Sequence, residues 1–598
     1  MGDFIFSKIN KDNGFLSKKL RCIYGENKIK TYEYHSHFGS IAYCENHYNG
    51  FSPYNTEDFL LIVIGGPILN FRDNNFISAN GGNEGTIAIN RRWKEQKKIV
   101  WDEDLSGPFV IFNFDKRNGH IELISDMMSF IPVYSNLQND ILVIGTHIDT
   151  IARINNNSLD KVSIADFILH EVVTYPYTIY NGIKQLAPAT IHNWNLETQK
   201  NKFSQTCYWL PREVKNIDNI DNIAKELNKS LNKYVNRVIH SKAKVATFIS
   251  GGEDSRVVLS AIPKEYPKDS FIFVDKPNYE ALIAKKVTKK LNAKIFIEER
   301  EPDHYWHILK AACDLIGTCG DYAHVHSYGF HKHCSFDNYD VIFGGFLADT
   351  LLKGHHVAKK KIPKFLHFFP IPEIAKVSQF DYISSNNFFL DPMVISKIKE
   401  RRISHYQRIK ELRPESVKEW FNIWPISMHN DIPNIYGNRR LFRSYEPFTD
   451  SAIVKISSVS PQSYKLNRRL FQKAFKNLYR KTKFIPHASG YYPYLPWYFN
   501  KPILAMNKTY KKIEEIFKKD LKNEGSWSNW DELIKSNMAY KISNKYEKEI
   551  EIQCGDIFKN DFNFNILDNK DLNTRQKRII IQLGYQFSKI DVNYNENS

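Results

Sequence analysis

Six consecutive residues, Ser250-Gly251-Gly252-Glu253-Asp254-Ser255, combine two hydroxyls, two glycines and two carboxylates. The apolar run Val245–Ile249 before them reads as a strand buried on both faces. Val257–Ile262, stopped by Pro263, reads as a short helix after them. A strand, a glycine turn and a helix start direct several backbone N–H groups at one anion-sized hollow, and the positive end of the helix dipole reinforces it. Gly251 and Gly252 let the backbone approach a phosphate without a Cβ between. Ser250 and Ser255 add hydroxyl donors, and Asp254 can hold a metal ion bridging phosphates. The plainer alternative is a glycine turn with no ligand. It is disfavoured because all these residue types fall in register behind a buried strand.

The spacing is not the G-x-x-x-x-G-K-[ST] of the common nucleotide loop. It resembles the S-G-G-x-D-S pyrophosphate loop of the ATP pyrophosphatases, which split ATP into AMP and pyrophosphate. A second strand-to-loop stretch, Tyr339–His355, resembles the asparagine synthetase segment G-E-G-x-D-E-[LV]-F-G-G-Y through Gly345, Ala348, Asp349, Leu351 and Gly354. That resemblance implies Mg²⁺ on Asp349 and Asp254 at the pyrophosphate. Phe346 stands where asparagine synthetases carry glutamate and β-lactam-forming relatives tyrosine. Phenylalanine can neither accept nor relay a proton, so the usual base is missing, with His324, His326 and His355 as candidate replacements. Glu446-Pro447-Phe448-Thr449-Asp450 matches the family's P-F-[LV]-D without the preceding arginine. Lys465, fifteen residues beyond Asp450, falls where the resemblance implies the lysine that contacts the acyl-adenylate; one lysine among many on a basic helix is the alternative.

Upstream, residues 58–210 read mainly as β: Phe59–Ile64, Phe109–Phe114, His120–Ser125, Ile141–Gly145 and Ala189–Trp194, separated by turn residues. Asp104–Phe109, Asp126, Pro132–Tyr134, Thr178–Ile183, Leu186–Pro188 and Tyr208-Trp209 follow one another in an order similar to the glutaminase domain of class B asparagine synthetases. The implied fold is an N-terminal-nucleophile-hydrolase-like layered α/β sandwich. Working glutaminases of that family begin Met-Cys, whereas position 2 here is Gly2, and Cys22 has no α-amine of its own to act as base. The family's asparagine-glycine-glutamate strand appears as Gly65-Gly66-Pro67. The expectation is a domain without glutaminase activity.

Ile223, Leu227, Leu231, Val235 and Ile239 recur every fourth residue, predicting an amphipathic helix that packs on the next sheet. Phe271–Val274 and Lys294–Ile297 add strands around a helix striped by Ile283, Val287 and Leu291. Such alternation predicts a doubly wound parallel sheet with ligands at the carboxyl ends of its strands, near Asp275 and Glu280. Those two acids read equally as solvated turn residues. Cysteines and histidines crowd residues 313–334, but without zinc-like pairing, so a polar cleft wall is preferred to a metal site. The expected organisation is α/β and multidomain: residues 1–210 glutaminase-like, 211–504 ATP-pyrophosphatase-like, and 505–598 a helical extension packed on the outside with no motif of its own.

Composition bounds the function. The chain is long enough for three or four cored domains, and no apolar run reaches the length of a membrane span. Seven cysteines without paired spacing fit a reducing compartment, so a cytoplasmic location is expected. The net charge of +17 is spread along the chain, which argues against nucleic acid, although Lys397–Arg413 and Lys465–Lys483 are denser and could hold ATP, an acidic glycan or an acidic peptide. The expected function is an ATP- and Mg²⁺-dependent ligase that adenylates a carboxylate and joins it to ammonia or another amine. Three acceptors compete: a uronic acid of a surface glycan, a peptide side chain closed onto its own N-terminus as in lasso-peptide cyclases, and aspartate. From other classes, a tRNA-modifying pyrophosphatase and a non-catalytic scaffold remain.

Overall fold

The first strand, Phe4–Ser7, is buried on both faces, and the alternating direction of its side chains decides which layer each joins. In the computed structural model, which describes residues 2 to 590 apart from 26–28, 79–80, 198–201, 216, 241, 362, 364–368, 377–379 and 518–524, Phe4 and Phe6 point into the space between two sheets while Ile5 points away. One six-stranded antiparallel sheet runs in the order Ile183–Gln185, Tyr134–Gln138, Ile141–Gly145, Phe4–Ser7, Gly39–Cys44, Thr31–Ser36. The other runs Lys202–Cys207, Thr190–Asn195, His120–Ser125, Phe109–Asp115, Phe59–Gly65, Tyr54–Asn55. Leu60, Ile62, Phe112, Phe114 and Leu123 from the second sheet meet Phe4, Phe6, Ile41 and Ile144 from the first, with Phe4 and Phe112 ring centroids 4.7 Å apart. Helices Phe15–Tyr24 and Ile148–Asn155 cover the outer face of the first sheet. This is the layered sandwich that the strand pattern predicts. The strands before residue 58 were not anticipated, yet they supply half of the first sheet.

The second sheet system is parallel throughout, ordered Lys294–Glu299, Lys268–Val274, Val245–Phe248, Val341–Phe343, Ser444–Tyr445. The chain leaves its central strand toward one edge and returns on the other side, so the end of Val245–Phe248 is a topological switch point, where α/β sheets bind ligands. Helix Ile220–Val238 buries Ile223, Leu227, Leu231 and Val235 as their four-residue spacing requires.

Two expectations change. The basic stretch Lys397–Arg413 lies largely on helix Pro392–Leu412, and several of its charges are used internally. Arg401 pairs with Asp160 and Arg402 with Asp166, both on or beside helix Lys161–His170 of the sandwich, while Arg413 donates to the carbonyl of Pro211 and covers the Trp420 ring. The C-terminal extension is not simply an outer layer. Helix Trp497–Phe517 crosses the expected division at 504, and helix Thr574–Phe587 is buried along most of its length, with Arg578 paired to the buried Asp321. The run Ile579-Ile580-Ile581 is the sequence signal for that burial. Residues 591 to 598 of the extension lie outside the described residues. Among the described residues, no helix is long and apolar enough to cross a membrane.

A buried ion cluster joins the sandwich to the parallel-sheet half. Asp3 is wholly buried. It accepts from Arg439 and Arg440 at 2.8 Å each, from Thr146 at 2.7 Å and from the Tyr24 hydroxyl at 2.5 Å, and Arg439 also donates to the Gly2 carbonyl. Burial alone would raise its pKa, but the two guanidiniums hold it well below the usual carboxylate range. Removing one partner of such a cluster leaves uncompensated buried charge. Asp3→Ala is therefore expected to lose about 3–5 kcal/mol of stability, read as a lower urea midpoint than wild type; an unchanged midpoint would show the cluster to be dispensable.

Candidate active site

The phosphate-type loop is closed on itself before any ligand arrives. Ser250 N–H donates to the Ser255 hydroxyl at 3.1 Å, and Gly252 N–H donates to the Ser250 hydroxyl at 3.0 Å. Helix Asp254–Ala261 starts at its rim. A Cβ on Gly251 would come 2.7 Å from Ala488 Cβ, and one on Gly345 would come 2.9 Å from Ser255 N, so glycine is required at both close approaches. Gly251 N–H, aimed at the hollow, donates to Glu280 Oε1 at 3.1 Å, and Glu280 Oε2 accepts from Ser526 N–H at 2.6 Å. A carboxylate of the chain thus sits on a loop donor, and it ties the loop to the segment Gly525–Ser528. Arg300 donates to the Ser526 carbonyl, Ser528 donates to Asp275, and Trp527 lies on the His326 ring at 3.9 Å. Asp275 and Glu280 are accordingly partnered site residues and not solvated turn acids.

Charge gathers under the loop. Glu253, the variable position of the motif, is fully buried and paired bidentately with Arg468. Lys353 Nζ lies 2.6 Å from Asp254 Oδ1, 2.6 Å from Asp349 Oδ1 and 3.3 Å from Glu253 Oε1. Burial raises Glu253, but Arg468 and Lys353 outweigh it and leave the group lowered to about 2. Burial pushes Asp254 up to about 8; Lys353 opposes this and Asp349 and Glu253 reinforce it. Asp254 and Asp349 are thus brought together as the sequence implies, but around an ammonium. A divalent ion bridging those two oxygens does not fit while Lys353 holds them.

Lys465 is not brought to this site. Its side chain is 0% exposed, with Nζ 2.7 Å from Glu419 Oε1 and 3.2 Å from Ser457 Oγ, beside the Trp420 ring. Burial lowers its pKa, with Glu419 opposing. The residue ends the short helix Gln462–Lys465 with its Cβ beside Gly354, but its ammonium turns to Glu419 in the core and not to the loop. The lysine at the loop is Lys353, placed at the end of helix Ala348–Leu352 one turn beyond Asp349. Its signal was its position, where the motif quoted above has glycine.

Two cavities meet beside the loop. One, of about 240 Å³, is lined by Phe248, Ser250, Ser255, Phe273, Arg300 and Glu446. The other, of about 440 Å³, is lined by His324, His355, Asp349, His429, Asp431 and Arg578. Phe346, His326, Asn434 and Trp527 border both. Glu446 accepts the Phe346 N–H at 3.0 Å and packs on Gly344, where a Cβ would sit 2.0 Å from its oxygen. Burial pushes Glu446 up to about 7, with the Phe346 N–H pulling down. The sequence reading passed over Glu446, although an acid directly before P-F-T-D is visible there. It also missed Trp527, Ser528, Trp530 and Arg578, all from the extension.

A sequence profile for the asparagine synthase domain matches residues 226–463, and one for a glutamine amidotransferase domain matches residues 53–209. The chain belongs to the asparagine synthetase superfamily. Among curated relatives, it is 20% identical over 392 residues to a putative glutamine-hydrolysing asparagine synthetase 2 of Methanocaldococcus jannaschii, covering 60% of this chain and 73% of that protein. It is 24% identical over 182 residues to the glutamine-hydrolysing asparagine synthetase 3 of Bacillus subtilis, covering 29% of this chain and 28% of that one. A solved glutamine phosphoribosylpyrophosphate amidotransferase from B. subtilis aligns with 50% of this chain and 90% of its own at 8% identity and a TM-score of 0.21.

Of the crowded cysteines and histidines, His324 and His326 wall the second cavity, while His333 pairs with Glu298 away from it. Glu171, Asp321 and His324 lie close together, but Arg575 and Arg578 already neutralise the two acids. The polar-wall reading therefore holds for His324 and His326. Glu253 makes part of the stability depend on pH. Its folded pKa is depressed from 4.5, so its contribution is complete above about pH 5 and fades as pH falls toward 2. Glu253→Gln should lose about 3 kcal/mol or more at pH 7, and thermal melts should show the gap to wild type narrowing below about pH 4.5. A gap independent of pH would refute the pairing.

Proposed function

We propose that this superfamily member, an ATP-dependent amide ligase, activates a carboxylate other than plain aspartate as an acyl-adenylate and passes it to an amine. A carboxylate is a poor acyl donor, and its mixed anhydride with AMP is a good one. The substrate oxygen attacks the α-phosphorus, the bond to the bridging oxygen of the β-phosphate breaks, and pyrophosphate leaves into the loop at 250–255. The N–H groups and hydroxyls of Gly251, Gly252, Ser250 and Ser255 would turn from their internal partners to the phosphate oxygens, with Glu280 displaced from Gly251. The smaller cavity, at the carboxyl ends of the strands, suits the nucleotide, and the larger histidine-lined cavity suits the acceptor.

The observation that carries this reading is the pairing of Phe346, which borders both cavities, with Glu446, which lines the smaller one. An amine attacking the acyl carbon must lose a proton as its nitrogen bonds and AMP leaves. Phe346 cannot take that proton, but Glu446, raised to about 7, is matched to the task near neutral pH. His326 is the weaker base. Burial holds it well below its ordinary pKa, and its Nδ1 is already bonded to the Tyr305 hydroxyl. The nitrogen is taken to be ammonia or a substrate amine and not one released in the sandwich. There, Gly66 is packed against the Tyr48 ring, and Cys44 is buried with its thiol raised.

ATP–pyrophosphate exchange with panels of uronic acids, acidic peptides and aspartate tests the proposal. Exchange with uronic acids or peptides, lost in Asp254→Ala, is the expected result. Exchange with aspartate alone would overturn the acceptor choice. Failure both to exchange and to bind ATP would leave a scaffold, and tRNA co-purifying with the protein would point to the nucleic-acid alternative. With the responding substrate, Glu446→Gln should lower kcat by about a hundredfold or more, with ATP binding retained. The limb near pH 7, along which wild-type activity rises as Glu446 deprotonates, should vanish; its survival in the variant would assign the base elsewhere.

A further inference from the structure

We propose that Lys353 is a built-in replacement for the divalent cation between Asp254 and Asp349, so that the loop holds a pyrophosphate group without a metal ion at that position. The inference rests on the pyrophosphate-leaving reading above. Lys353 is 7% exposed at its side chain and bonds one oxygen of each aspartate at 2.6 Å, a charge-assisted distance, while Asp349 itself is 64% exposed. Mg²⁺ would need oxygens at about 2.0–2.1 Å in near-octahedral array. To take the two oxygens that Lys353 holds, it would have to displace the ammonium from a buried place beside Glu253, Asp254 and the Phe471 ring, 5.0 Å from Nζ, with the exposed Asp349 at its mouth. The side chain has little alternative, because it is rooted on the short helix that carries Asp349.

The surroundings are built for the ammonium. Three carboxylates meet there, Glu253, Asp254 and Asp349, and Arg468 neutralises Glu253 from the other side. The longest of the three Lys353 contacts is the one to Glu253, at 3.3 Å, and Glu253 is already served by the arginine. That third N–H is therefore the one free to turn toward an incoming phosphate oxygen while the other two stay on the aspartates. Glu253 fills the variable position of one motif and Lys353 replaces a glycine of the other, and the two meet in space as one ion pair.

Calorimetric titration of the full-length protein with inorganic pyrophosphate, in EDTA and in excess Mn²⁺, tests this. The expected result is wild-type affinity within about threefold in the two conditions. In Lys353→Met, affinity in EDTA should fall about thirtyfold or more and recover with Mn²⁺. The recovered state should show a protein-bound Mn²⁺ signal by electron paramagnetic resonance that Asp349→Asn removes. Wild-type binding that requires Mn²⁺, with a bound-ion signal sensitive to Asp349→Asn, would overturn the inference and leave the ligase reading standing. Absence of pyrophosphate binding in both conditions would overturn both. The wild-type comparison decides the matter even if Lys353→Met does not fold.

Discussion

Two adjacent arginines on one helix hold the molecule together. Arg439 and Arg440 reach out of Pro433–Leu441 to the wholly buried Asp3 at the start of the first sheet, and Arg440 also grips the Leu315 carbonyl. The same helix presents Asn434 and Asn438 to the cavities. A charge buried this deeply is tolerable only if every partner is in place, so the cluster sets the position of the cavity wall as well as the join between the sandwich and the parallel sheet. The glutaminase-like half therefore has a structural function whatever its chemistry.

The same rule governs the site. Glu253, Lys353, Arg468 and Asp254 form a chain of charged groups that make one another's burial tolerable, and the exposed Asp349 closes it at the surface. Its centre is an ammonium, fixed by a covalent stem, where a mobile ion would otherwise bridge two acids. Glu280 plays a matching part in the hollow above, standing as an anion on the Gly251 N–H. Before any ligand binds, then, the loop is already balanced by groups of the chain: a cation beneath and an anion within. A phosphate oxygen entering the hollow competes with Glu280 and gains the Lys353 donor.

Much of this was legible in the residues. The phosphate loop, the parallel strands around it, the amphipathic helix at 220–238 and most strands between 59 and 195 follow from periodicity and turn chemistry, which act over a few neighbours. Three things were not legible. The early strands of the first sheet carry no clear alternation: Phe4–Ser7 and Gly39–Cys44 are buried on both faces, and Thr31–Ser36 is only half covered as an edge. Lys465 sat at a plausible spacing, but spacing along a chain does not fix direction, and Glu419 draws it into the core. The extension seemed featureless because Trp527, Ser528, Trp530 and Arg578 carry no motif; their role comes from folding back over the cavities.

The sequence by itself determined the local machinery: a loop that offers N–H groups to an anion, two aspartates in two strand-end motifs, and a phenylalanine where a base is expected. These depend on residue types within a turn or a strand. Tertiary structure alone decided what fills each charge. It set Lys353 against Asp254, Glu446 behind Phe346, and Asp3 against Arg439 and Arg440, pairs separated by about a hundred residues or more, whereas Lys353 and Asp349 are neighbours four residues apart on one helix. Low-dielectric burial makes such pairs strong and obligatory, and only the packed fold specifies which charges share a pocket.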